Sequence, residues 1–404
     1  MQNPVFRQTW AEIDLACLDH NFRQLRKLVK PESFFCPMLK ANAYGHGSEE
    51  IFNFLASRGL EATGVALVEE GLALREQASC EEAEKVEVLV FGSFNREGAR
   101  ALVHSRLTPV LSEWGQLRDM LEVVPDKAYY PVHLKFDTGM HRMGFQPEEA
   151  EQILKQLRSN KQLRIVGVCT HLSDGLDFHQ AQGRSSQQMK KFASVLSWFV
   201  TPGVRVHVLN SSALLAHVMS QGLQPTSWGT RPGLALYGIY PELIGSGPQG
   251  GPNEEESRAM SQIDLKPVMS LKSQLVQIHR LKAGERVSYG GLWTAEKSSV
   301  VGVVAMGYGD GYPRGLTQRG SMLVRGQEVS IVGSICMDYC MVDLTEVVRA
   351  TGPVAVGDEV VVLGDQQAGR ISAERLALLN NSIPYEILTN VSPRVPRIFK
   401  FRES

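Results

Sequence analysis

No apolar run in these 404 residues is long enough to cross a bilayer, so the sequence offers no helical membrane span. Charge of one sign is equally scarce. The 42 Lys and Arg against 43 Asp and Glu leave a formal net charge of −1, which calls for neither nucleic acid nor an anionic membrane as partner. Only six cysteines occur, and none forms a CxxC pair. The closest two, Cys336 and Cys340, fall in a run that reads as one strand. Buried, reduced thiols in a cytoplasmic protein are the simplest expectation. The opening residues, MQNPVFRQTWAEIDL, lack the basic, apolar, small-residue order of a secretory signal. No set of His, Cys and Asp has metal-ligand spacing, THLSDGLDFH being the nearest and a weak one. GYGDGY (307–312) has no helical pattern behind it, which argues against a dinucleotide loop.

What is present is a globular composition, 43% hydrophobic and 21% charged. The length suits two domains or one elaborated one. In the first 231 residues eight short apolar runs alternate with helical patterns. They are SFFCPML (33–39), ATGVAL (62–67), VEVLVF (86–91), LTPVL (107–111), YPVHLKF (130–136), RIVGVCTHL (164–172), VRVHVL (204–209) and TSWGTR (226–231). Most are β-branched and apolar rather than strictly alternating, as in parallel strands buried on both faces. EEIFNFLASRG puts Ile51, Phe54 and Leu55 on one helix face and stops at Gly59. Earlier, LACLDHNFRQLRKLV lines up Leu18, Phe22, Leu25 and Val29. Eight such units in about 230 residues fit an α/β fold, a (β/α)8 barrel of the TIM type, with a doubly wound open sheet as the alternative. GSGPQGGPNEEESR (245–258) then reads as a solvated linker. Beyond it the pattern is mainly β, with a hairpin turning near Arg325–Gly326 and one clear helix, SAERLALLNNS. The expected domains are a barrel over 15–250 and a β domain over 262–404, with a strand at 5–14 packing on the latter.

In such a barrel, chemistry gathers at the C-terminal ends of the strands, and phosphate at the loops after strands seven and eight. Those ends carry Lys40, in CPMLKANAYGHG; Arg142, in DTGMHRMG; His171; Asn210 and Ser211; and Arg231 with Gly233. Singly, each has a bland account: a solvated lysine, a hydrogen-bonded core histidine, a helix N-cap at Ser211. Jointly they set a lysine amine opposite a phosphate cradle, an arrangement that suits a pyridoxal 5'-phosphate (PLP) Schiff base. Ser211, the N–H groups of the helix it starts, and the backbone at Gly233 can hold a dianion.

TWAEIDL, MLKANAYGHG, KFDTGMHRMGF, THLS, NSSA, RPGLALYG, VSYG, GYGDGY, ICMD and IPYE follow one another from residue 9 to residue 386. On these motifs the chain resembles the bacterial alanine racemases, PLP-dependent homodimers built from an α/β barrel and a C-terminal β domain. The resemblance implies a cytoplasmic isomerase that interconverts L- and D-alanine and supplies D-alanine for peptidoglycan. It implies Lys40 as the PLP-bearing base and Tyr289 of the partner subunit as the second base. Arg231 would face the pyridine nitrogen, with Tyr44, Ser211, Gly233, Leu234 and Tyr385 around the phosphate and Asn210 beside them. Arg142 and the backbone N–H of Met337 of the partner subunit would bind the substrate carboxylate. His171 would support the link between Arg231 and Tyr289, and Tyr308 would narrow the entrance. Lys135 matches a position that some relatives carry as a carbamate beside Arg142.

Elementary chemistry agrees with that scheme. Two bases on opposite faces are the simplest way to take a Cα proton from one side and return one to the other. An arginine stays protonated, so it cannot protonate the pyridine nitrogen; the weaker electron sink that results disfavours transamination. Departures from the family pattern sit near the entrance. They are Ser334 in GSICMD where many relatives carry arginine, a longer segment over 241–262, and THLSDGLD. They bear on which amino acid is accepted, and a serine, lysine or broad-specificity racemase is the alternative on the same fold. A non-catalytic PLP-binding protein would lack the β domain that carries Tyr289 and Met337. A barrel decarboxylase is disfavoured by Arg231.

Overall fold

The computed structural model describes residues 6–199, 201–240 and 262–401; the expected linker at 245–258 lies outside them. The described residues fall into two compact units, one of 19–240 with 262–265 and one of 6–18 with 266–401. After β1 (Thr9–Asp14), which belongs to the second unit, the first unit holds seven parallel strands paired in chain order. These are β2 (Ala62–Val65), β3 (Glu87–Val90), β4 (Thr108–Leu111), β5 (Tyr130–Lys135), β6 (Leu163–Cys169), β7 (Arg205–Leu209) and β8 (Gly229–Thr230). Every residue of β2 and of β4 is buried, as uninterrupted apolar runs require of strands covered on both faces.

The barrel closes through residues 33–39, where Phe35 bridges Thr230 of β8 and Met38 bridges Gly64 of β2. This segment was expected as the first strand, and it is instead extended chain with single bridges on either side. Pro37 has no N–H to give a ladder, and its carbonyl accepts from Gly64 N at 3.1 Å. The helix Leu15–Lys27 buries Leu18, Phe22 and Leu25 as its periodicity predicts; Val29, expected on the same face, is buried two residues beyond the helix end. The next one, Ser48–Ala56, buries Ile51, Phe52 and Leu55. Phe54, expected on that face, is only half-buried, so the apolar stripe sits around Phe52. Phe34, Cys36, Leu89, Val110 and Cys169 pack together in the core, with Phe91 against them. Each large apolar side chain so buried contributes roughly 1.5–3 kcal/mol.

The second unit is built on β9 (Met269–Leu281), which pairs antiparallel with β1, with β12 (Ser299–Val304) and with β16 (Glu359–Gln366). The short pair β10 (Arg286–Val287) and β11 (Trp293–Thr294) stands apart. β13 (Ser321–Val324) and β14 (Gln327–Ser330) form the expected hairpin. Its two turn residues, Arg325 and Gly326, have φ of 54° and 77°, the conformation that matches strand twist in a two-residue loop. β15 (Cys340–Asp343) pairs with β12, β17 (Gly369–Ile371) with β16, and β18 (Arg397–Lys400) runs parallel to β1. Cys336 lies in the loop before β15 rather than in a strand with Cys340. The expected helix is Ala373–Leu379, capped by Ser372, whose Oγ accepts from Arg375 N. None of the six cysteines forms a disulfide; Cys36, Cys169 and Cys340 are buried as expected, whereas Cys17, Cys80 and Cys336 are only half-buried. Among the described residues no helix is long and apolar enough to cross a membrane.

Candidate active site

Lys40 opens a turn that its sequence does not advertise. Ala41, Asn42 and Ala43 have φ of 51–53° and ψ of 49–52°, and Tyr44 follows at φ 55°. Left-handed backbone costs L-residues roughly 1–2 kcal/mol each, and asparagine alone of these four tolerates it readily. The surroundings hold it. Glu70 Oε1 accepts from Ala41 N at 2.6 Å, while Oε2 accepts from Ala66 N and Leu67 N at 2.8 and 3.0 Å. Asn42 Oδ1 accepts from Ser48 N, and the His46 ring lies 3.0 Å from the carbonyls of Ala43 and Tyr44. Tyr237 packs on the rings of Tyr44 and His46. The Lys40 amine stands 6.0 Å from the Tyr44 ring centre. Burial lowers its pKa from the ordinary lysine range, and the charge of Arg142 adds to that while Glu70 opposes it.

Opposite polarity is arranged at the strand ends seven and eight. Asn210, not Ser211, is the N-cap of the helix Ser211–Gln221, its Oδ1 accepting from Ala213 N at 2.9 Å. The Ser211 hydroxyl is thereby free of that duty and accepts from Gly233 N at 3.0 Å and Ala235 N at 3.3 Å. Gly233 has ordinary negative φ; what demands glycine is Tyr44, since a Cβ there would sit 2.3 Å from Tyr44 Oη. Leu234, buried, begins the short 3-10 turn that follows.

Arg231 is 6% exposed, and among the described residues no carboxylate is its partner. It donates to His207 O at 2.7 Å and Thr170 O at 2.8 Å, and it stands 2.8 Å from His207 Nδ1 and 3.4 Å from His171 Nδ1. His171, expected at the end of the sixth strand, lies two residues beyond it, because β6 stops at Cys169 rather than running to 172. Burial, then the positive charges of Arg231, Lys135, Arg142 and Lys40, hold its imidazole well below the ordinary range. It is a neutral neighbour of Arg231.

Arg142 rides on a loop organised by one carboxylate. Asp137 accepts from the backbone N–H of Gly139, Met140, His141 and Arg142 at 2.9–3.0 Å. Burial pushes its pKa up, but these donors outweigh it and the net shift is downward. Lys135 on β5 is buried with no hydrogen bond or ion pair among the described residues, and burial lowers its pKa, Arg231 and Arg142 adding to the effect.

Ten of the expected residues, Lys135 included, thus share the barrel unit, while Tyr289, Tyr308, Met337 and Tyr385 belong to the other. There, Tyr289 is 78% and Met337 52% exposed. Ser334, the departure from arginine, donates to Tyr289 O at 2.9 Å, and Ser288 donates back to Ser334 O at 2.8 Å. Tyr308 N and Gly309 N donate to the carbonyls of Cys336 and Met337. The Met337 N–H itself has no hydrogen-bond partner among the described residues. Buried Asp310, in GYGDGY, accepts from Gly307 N and Arg7 and fixes this loop. Tyr385 is half-buried at the start of the helix Pro384–Thr389. A cavity of ≈ 550 Å³ beside Tyr289 is lined by Ser288, Cys336, Tyr339 and Met341 among others. Sequence reasoning passed over Glu70, Asp137 and the histidines His133 and His207. Asp137 stands inside a quoted motif and was legible as a loop-ordering acid; the others carry no local signal.

A barrel whose mouth joins a lysine amine, an anion cradle and an acid-free buried arginine defines a class, the PLP-type α/β-barrel enzymes. The cradle suits that cofactor's phosphate on this structure's own terms, because the Ser211 hydroxyl, the N–H groups of Gly233 and Ala235 and the Tyr44 hydroxyl converge there. Comparison narrows the class. The alanine racemase N-terminal domain model matches residues 13–241 and the C-terminal domain model residues 268–399. The alanine racemase of Sorangium cellulosum is 37% identical, covering 98% of this chain and 99% of that protein. The crystal structure of alanine racemase from E. faecalis superposes with a TM-score of 0.84 at 29% identity, over 99% of this chain and 100% of that one. That from Bartonella henselae, with covalently bound pyridoxal phosphate, gives 0.80 at 27% identity over 98% and 100%. The chain belongs to the alanine racemase family.

Proposed function

We propose that this chain is a PLP-dependent alanine racemase, a cytoplasmic homodimer that interconverts L- and D-alanine and supplies D-alanine for peptidoglycan. The observation that carries the reading is a lysine amine, held below its ordinary pKa, at a mouth backed by a buried arginine that has no acid partner among the described residues. PLP, when bound, takes up the electrons released as Cα loses its proton. The rest falls to side chains. Lys40 Nζ holds the cofactor and then moves a proton on one face of Cα; its burial favours the free amine needed as base. Tyr289 Oη of the partner subunit moves the proton on the other face. Arg142 and the N–H of Met337 of the partner subunit orient the carboxylate. Ser211, Gly233 and Leu234, with Tyr44 and Tyr385, take the phosphate, with Asn210 holding the helix start in place. Arg231 offers the pyridine nitrogen a hydrogen bond but no proton, with neutral His171 beside it, and Tyr308 narrows the entrance.

Lys135 has a role in the same reading. Carbamylation joins an uncharged amine, which burial favours here, to carbon dioxide, releases a proton to solvent and leaves an anion near Arg142 that can pair with it. Labelled bicarbonate giving a slowly exchanging carbamate signal in the NMR spectrum supports this, and its absence removes it.

The function itself is tested by Cα proton exchange of L- and D-alanine in heavy water, with L-serine and L-lysine alongside. Exchange with inversion for alanine alone is the expected result. A Lys40-linked chromophore without exchange for any amino acid overturns it.

A further inference from the structure

A polar column runs beneath the mouth through the barrel interior, where branched aliphatic side chains ordinarily pack. Arg231 Nη1 stands 2.8 Å from His207 Nδ1, and His207 Nε2 stands 2.7 Å from His133 Nδ1. At the floor, His133 Nε2 lies 3.1 Å from Arg205 Nη2. Arg205 donates to both oxygens of Glu87, Nη2 reaching Oε1 at 2.9 Å. Glu87 Oε1 is also 3.8 Å from His133 Nε2. Both imidazoles are fully buried and flank the ring of Phe34. Burial holds both below their ordinary range; for His207 the charge of Arg231 adds to it, and for His133 Glu87 opposes without cancelling. Both are neutral.

A neutral imidazole has one N–H and one bare nitrogen, and a guanidinium has only donors. Two neutral imidazoles in series between two guanidiniums therefore leave one contact where N–H faces N–H. The histidines alone do not decide which contact that is. If Arg231 donates to His207 Nδ1, then His207 Nε2–H donates to His133, and the conflict falls at His133 Nε2 against Arg205. The opposite tautomers put it against Arg231, where a facing N–H at this separation pushes the guanidinium off its line. Glu87 breaks the tie, because Oε1 accepts from Arg205 and draws the N–H of His133, relieving the conflict at the floor.

We propose that Glu87, paired with Arg205, is a positioning residue for Arg231, setting the tautomers of His133 and His207 so that the guanidinium meets a bare nitrogen. The inference rests on the reading of Arg231 as the pyridine partner. It explains why a barrel interior gives up apolar packing for a charge pair across β3 and β7.

Histidine-labelled holoenzyme read by nitrogen NMR tests it. Wild type is expected to show Nε2–H at both His133 and His207. Glu87→Met keeps Arg205 as a competing donor, so the tautomers mix or reverse. kcat falls about threefold to tenfold, the worth of one hydrogen bond, with KM little changed. The PLP absorption band moves, and the fraction of turnovers ending in transamination rises. Glu87→Met/Arg205→Met removes the competitor as well and restores tautomers, band and kcat, which a merely structural loss of the pair would not do. If Glu87→Met does not fold, Glu87→Gln replaces it, its NH2 adding a donor that shifts the tautomers the same way. Unchanged tautomers in the single variant overturn the inference. Shifted tautomers with an unmoved band and unmoved transamination overturn instead the placing of Arg231 at the pyridine nitrogen.

Discussion

Carboxylates that stay on the backbone shape this site. Asp137 spends its oxygens on four N–H groups of the loop carrying Arg142. Its pKa in the folded protein is lowered, so its stabilisation is full above the ordinary carboxylate pKa and fades as pH falls through the lowered value. Asp137→Asn should therefore be less stable than wild type near neutrality, with the gap in melting temperature closing below about pH 4. The same variant should raise KM for alanine, because Arg142 loses its fixed loop. A stability gap that does not vary with pH would mean that the charge plays no part. At Gly233, the neighbour at 2.3 Å from a would-be Cβ is a hydroxyl. Gly233→Ala should lose about 1–3 kcal/mol of stability to overpacking and weaken PLP binding. Adding Tyr44→Phe should recover part of the stability, and a double variant no better than the single would place the strain elsewhere.

Elements formed by local pattern were legible, and those set by distant partners were not. The barrel rhythm, the β13–β14 hairpin and the helix after Ser372 all follow from apolar period and turn chemistry. Residues 33–39 looked like a strand because their apolar run is real; Pro37 withholds one N–H on the β2 side, and the segment pairs through bridges rather than a continuous ladder. The turn at Ala41–Tyr44 had no such signal, since alanine and tyrosine do not favour left-handed backbone. Its cause lies 29 residues on, at Glu70, which in sequence is an ordinary acid in the first turn of a helix. Likewise Arg205 meets Glu87 across 118 residues, a pairing no local window contains. From the turn follows a prediction. Glu70→Ala unties three backbone donors from one carboxylate, costing about 1.5–3 kcal/mol. Because Ala41 adjoins Lys40, kcat should fall more than stability alone explains when measured well below the unfolding temperature. Full kcat in a folded Glu70→Ala protein would show that the left-handed turn holds Lys40 without it.

At the scale of the whole molecule, the proposed chemistry divides between two units. Lys40 stands in one; Tyr289, Tyr308 and Met337 stand in the other, exposed at 78%, 42% and 52%. Their exposure leaves these side chains, and the uncommitted N–H at Met337, open to solvent and to a partner alike, and the proposed homodimer would set them over the mouth of a second copy. Symmetry makes that reading testable without a structure of the assembly. Lys40→Ala and Tyr289→Phe should each be nearly inactive as homodimers. If Tyr289 acts on the partner's barrel, a mixed dimer carries both lesions in one site and none in the other. Random mixing by dissociation and reassembly should then restore about a quarter of wild-type activity, since half the dimers are mixed and each has one intact site of two. If Tyr289 instead serves the barrel of its own chain, each site in the mixed dimer keeps one lesion and mixing restores nothing. Recovery thus reads out the subunit that supplies the second base, and its absence after verified exchange assigns Lys40 and Tyr289 to the same chain.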